Sequence, residues 1–86
     1  MVKRWIPSGK YAILLDEVDG VLYFMDPDDK NIPAADLDTM LLRALRSERA
    51  ISSARLPVTS PLRAGLRRLA RRGGITLHGD VWTWGA

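Results

Sequence analysis

The thirteen residues from Ser60 to Arg72 carry leucine at helical spacing and are stopped by Gly73-Gly74. No other stretch constrains the fold as strongly. With Leu62 at the origin of a helical wheel and about 100° per residue, Leu62, Leu66, Leu69 and Ala70 share one arc. Arg63, Arg67, Arg71 and Arg68 share a second arc beside and behind it. The spacing predicts a basic helix over 60–72. Thr59 or Ser60 serves as its cap and Pro61 sits just inside the first turn. The glycines end it. Apolar residues then alternate from Ile75 to Trp84, which predicts a β-hairpin over 75–84. A two-residue turn at Gly79-Asp80 aligns Leu77 with Trp82 and Ile75 with Trp84 on one face. Trp82 and Trp84 are therefore both expected in the core.

Upstream, Tyr11–Leu15 and Val21–Met25 flank Asp19-Gly20. This predicts a hairpin over 11–26 with Val18 opposite Val21 and Asp16 opposite Tyr23. A longer loop over 16–20 is the alternative. Both strands are apolar on two faces, so each side calls for a cover. A second helix is expected over 33–49. Pro33 suits its first turn, and Leu37, Leu41, Ala44 and Leu45 recur on one face. Asp36 and Asp38 sit at its positive end, Arg43, Arg46 and Arg49 at its negative end. Residues 50–58 allow a short helical turn at most. Residues 1–10 read as an arm that settles late. The fold class is α+β: an N-terminal β-hairpin, two main helices with a short helical turn between them, and a C-terminal hairpin.

Eighty-six residues make a single small domain, burying about 60–65% of the unfolded surface. There is no cysteine, hence no disulfide and no thiolate metal site, which fits a reducing cytoplasm. The first ten residues do not read as a signal peptide. The longest apolar runs are about five residues, far short of a membrane helix, so no membrane contact is expected. The net charge of +3 is unevenly spread: residues 1–42 carry −4 and residues 43–86 carry +7. Every cation after Lys30 is arginine, the side chain that forks onto phosphates and guanine edges. Opposite halves can attract within one molecule or between two, which leaves a homodimer open.

The order helix, short turn, helix, hairpin resembles a winged helix-turn-helix DNA-binding domain over about residues 36–84. The matching residues are Leu41, Leu42 and Leu45 in a first helix, Ile51 and Leu56 around a short second one, and Leu62, Leu66 and Leu69 in the third. Gly74 to Trp84 forms the wing. The chain departs from the pattern at Pro57 and in its N-terminal hairpin. The resemblance implies a small transcription regulator with its last helix in the major groove and its wing on the flanking backbone. Arg63, Arg67 and Arg71 then face the groove, Ser60 and Arg68 the backbone, and His78 a phosphate from the wing. Two other readings compete. One is a non-enzymatic interaction module, such as a phage- or plasmid-like inhibitor, whose basic helix meets an acidic surface on a host protein. The other is single-stranded nucleic-acid binding through exposed tryptophans, for which Trp5 is the least constrained.

The remaining groups point away from catalysis. His78 is the only histidine, and one histidine without cysteine makes a poor metal site. Asp26 to Asn31 begins like a calcium loop, but its sixth position is Asn31 and its twelfth Leu37, where such a loop needs glycine and glutamate. Asp16, Glu17, Asp19, Asp28 and Asp29 read as solvated turn residues. No serine, histidine and acid set can be assembled. The expectation is a protein that is not an enzyme, with no cofactor, no metal and no small-molecule substrate.

Overall fold

The computed structural model describes residues 2–85. The fold is α+β. Strands β1 (Val2–Ser8), β2 (Tyr11–Val18) and β3 (Val21–Phe24) precede helix α1 (Ala34–Glu48). Strand β4 (Ala50–Ser52), helix α2 (Pro61–Arg71) and strands β5 (Ile75–His78) and β6 (Val81–Trp84) follow. All six strands join one sheet in the order β1-β2-β3-β4-β6-β5.

Turn chemistry sets the registers. Asp19 and Gly20 both adopt positive φ, 53° and 81°, as a tight hairpin turn requires. Val18 therefore pairs with Val21 and Asp16 with Tyr23, as expected. Gly79 has φ 65°, and the second hairpin takes the expected two-residue register. The segment expected as an arm is instead β1, paired along its length with β2. Its turn is Gly9-Lys10, with glycine at the first central position at φ 58°, the place a primed turn reserves for it. Pro7 does not break the pairing, because β1 is an edge strand and an outward position needs no N–H. The Pro7 carbonyl accepts a hydrogen bond from Arg43 of α1.

The connection between the helices also differs from expectation. Residues 50–52 form β4, wedged between β3 and β6. Ile51 is fully buried opposite Trp82, and that burial outweighs the weak strand signal of three residues. A single turn follows, closed by the Leu56 N–H on the Ser53 carbonyl. β4 runs parallel to β3 at Tyr23↔Ser52, so the chain between them crosses over through α1.

Both helices cover the same sheet face. Ile13 and Leu15 of β2, Phe24 of β3, Ile51 of β4, Ile75 of β5 and Trp82 of β6 point into it. They meet Met40, Leu41 and Leu45 of α1 and Leu62, Leu66 and Leu69 of α2. Each fully buried side chain of this kind contributes about 1.5–3 kcal/mol relative to exposure. The helices approach closely at Gly65, where an added Cβ would lie 2.7 Å from Leu41 Cδ1. Trp82 donates its indole N–H to Ser53 Oγ at 3.1 Å, so its polar edge is satisfied inside the core.

Trp84 corrects the expectation that both tryptophans are buried: it is 46% exposed. Leu77, on the edge strand, is also exposed. The helices cover Ile75 and Trp82 but leave their cross-strand partners Trp84 and Leu77 about half exposed.

Candidate nucleic-acid interface

The amphipathic pattern of α2 places its leucines on the sheet and its arginines around the remaining circumference. Those arginines have different fates. Arg63 is held inward. Its Nη2 donates to the carbonyls of Leu56 at 2.7 Å and Ser53 at 3.1 Å, and its Nε donates to Leu56 at 2.9 Å and Pro57 at 3.1 Å. It closes the turn after β4 and does not line a groove. Ser60 is buried, and its hydroxyl accepts the Leu62 N–H at 3.3 Å as the helix cap. It is not free for a phosphate. Arg68 donates to Asp38 of α1 at 2.8 Å, and Arg72 lies 3.7 Å from the same carboxylate. Asp38 is buried, and two guanidinium groups compensate it.

Arg67 and Arg71 stand one turn apart on α2. Both are exposed and neither makes an ion pair or side-chain hydrogen bond among the described residues. His78 is exposed at the tip of the last hairpin. Its register partner is Val81, on the sheet face opposite the helices, so the structure does not bring it to the α2 arginines. Of the six nominated contacts, Arg67 and Arg71 remain together on a free surface.

The helical layer adds cations that the wheel of α2 could not reveal. Arg46, in the last turn of α1, stacks over the Trp84 ring at 5.3 Å from its centroid. Arg49 caps α1 at φ 73°, and its carbonyl accepts the Trp84 N–H at 3.3 Å. Both are exposed. Their sequence signal was the run of arginines at the end of α1, which helix-dipole compensation alone accounts for.

The acids lie elsewhere. From Arg49 through Gly79 there are seven arginines, Arg49 included, and no Asp or Glu. Asp19, Asp28 and Asp29 are exposed in the turns of the first half. Two of the acids expected to be solvated are not fully so. Asp16 is only 4% exposed, and Glu17 is half-buried, 3.6 Å from Arg4. In the loop after β3, burial pushes the Asp26 carboxyl up. The Lys30 ammonium, bonded to it, and the Ser60 hydroxyl outweigh that and hold it below the usual carboxylate range, although no hydrogen bond of good geometry reaches Asp26 Oδ1.

No helix among the described residues is long and apolar enough to cross a membrane. Comparison with protein-family models, curated proteins and solved structures finds no match to this chain.

Proposed function

We propose that this protein binds duplex DNA through phosphate contacts centred on Arg67 and Arg71, with Arg46 and Arg49 as further cations on the helical layer. The observation that carries this reading is the division of labour on α2. Arg63, Arg68 and Arg72 are committed to internal carbonyls and to Asp38, whereas Arg67 and Arg71 make no ion pair or side-chain hydrogen bond among the described residues. Like charges four residues apart destabilise a helix by about 0.2–0.5 kcal/mol per pair, and Arg67 has an arginine on both sides at that spacing. Stability alone favours a carboxylate there. A polyanion converts the repulsion into binding.

Two features turn the reading away from groove insertion. β4 stands where a helix-turn-helix places its middle helix, and Arg63 is engaged within the fold. The contact is therefore to the backbone, which positions a protein without reading sequence. Fluorescence anisotropy with a random duplex tests it. Four phosphate contacts give about a 150-fold loss of affinity between about 50 and about 200 mM salt. Absence of binding at the lower salt sinks the DNA reading and leaves the exposed arginines to an acidic protein surface.

A further inference from the structure

The sheet has two faces, and the helices cover one. The other carries, in a single register across all six strands, Lys3, Asp16, Tyr23, Ser52, Val81 and His78. No helix packs on it, yet it is not the polar surface that an open antiparallel face usually turns to water. Trp5 is 65% exposed and Val21 42%. Leu14, Val18 and Tyr23 are only partly covered. A groove of about 410 Å³ lies between Trp5, Leu14 and Met25. Exposed apolar surface on an uncovered sheet face of this kind marks an interaction site.

Asp16 lies at the centre of this face. Its Oδ1 has no hydrogen-bond partner among the described residues. Its Oδ2 is 3.7 Å from Arg55 Nη1, and Arg55 itself lies flat over the Tyr23 ring at 4.3 Å. Lys3 is directly opposite Asp16 on β1, exposed and in no ion pair among the described residues.

We propose that this face docks on the same face of a second copy of the chain. The two sheets pack back to back about 10 Å apart, with the helices outermost. The charge pattern favours this occupant. A two-fold contact needs a self-complementary surface, and this one carries Lys3 and Arg55 beside Asp16 and Asp19. Turned about a two-fold axis, the exposed Lys3 of one protomer faces the exposed Asp19 of the other. The carboxylates exclude a polyanion here. Trp5 with Leu14 on one side of Asp16, and Val18 with Val21 on the other, supply the apolar anchors that a stable interface needs.

Sedimentation of the full chain over a concentration series, without nucleic acid and also in about 1 M salt, tests this independently of the DNA reading. The expected species is a dimer that persists in high salt. Trp5→Glu and Val21→Lys, each checked by circular dichroism for an intact fold, weaken it by about tenfold or more. The Arg67→Gln/Arg71→Gln double variant leaves it unchanged. A monomer at every concentration overturns the proposal, as does a dimer that survives both face substitutions. A dimer dissolved by salt also overturns it, in favour of the arginine layer of one molecule resting on the acidic turns of another.

Discussion

Arg63 shows how far a residue's place on a helical wheel can stand from its role. The wheel puts it on the arginine arc with Arg67 and Arg71. The turn after β4 places three carbonyls within its reach, and a planar guanidinium with several donors satisfies them together. Arg63→Ala leaves the Leu56 carbonyl without its donor and removes a second hydrogen bond from the Ser53 and Pro57 carbonyls, and is expected to cost about 1–3 kcal/mol in urea unfolding, whereas Arg67→Ala is expected to leave stability near wild type. Equal effects from both would refute the structural role of Arg63. The tryptophans divide in the same way. Trp82→Ala opens a cavity and is expected to cost about 3–5 kcal/mol, while Trp84→Ala loses mainly a surface stack on Arg46, worth about 1 kcal/mol or less. Asp26 ties its loop to Lys30 with a lowered carboxyl pKa. A group whose folded pKa is depressed stabilises above its unfolded value, and that stability is lost as pH falls through the folded pKa. Asp26→Asn is therefore expected to be less stable than wild type near pH 7, with the difference shrinking as pH falls through the lowered folded pKa. A difference that persists unchanged in acid would show that the carboxylate's charge is not what matters.

At the scale of elements, the closest approach is α1 against α2 at Gly65. Alanine there gains about 1 kcal/mol of helix propensity, but its Cβ collides with fully buried Leu41, and overpacking of this kind costs about 1–3 kcal/mol. Gly65→Ala is expected to lower the melting temperature; a rise would mean that the helices have room to separate. Both hairpin turns, both helices and the registers Val18↔Val21 and Ile75↔Trp84 were legible because they rest on local chemistry: positive-φ turn residues, a serine cap, leucines at helical spacing. β1 was hidden because Pro7 and an unremarkable Gly9-Lys10 turn mask a strand whose partner is the next hairpin arm. β4 was hidden because three residues carry almost no periodic signal, and its place is decided by β3 and β6, which are distant in sequence. The free pair Arg67 and Arg71 could be read from the wheel, but the internal commitments of Ser60, Arg63 and Arg68 depend on Ser53, Leu56 and Asp38, contacts that no local pattern encodes.

At the scale of the whole molecule, the charge imbalance becomes a spatial division. Arginines left over from folding lie on the helical layer. The exposed acids lie in the turns of the first half and, as Asp80, at the tip of the last hairpin, and the uncovered sheet face presents tryptophan, valine and the Asp16–Arg55 pair. A polyanion and a protein partner would thus meet different sides of the same domain, so loss of one contact need not weaken the other. The central claim is that the unpaired arginines of α2 bind phosphate. The salt dependence of duplex binding, measured side by side for the wild-type chain and the Arg67→Gln/Arg71→Gln variant, tests it most directly. The variant is expected to melt with the wild type and to show a slope of log affinity against log salt that is shallower by about two units. Identical slopes and affinities for the two proteins would contradict the claim.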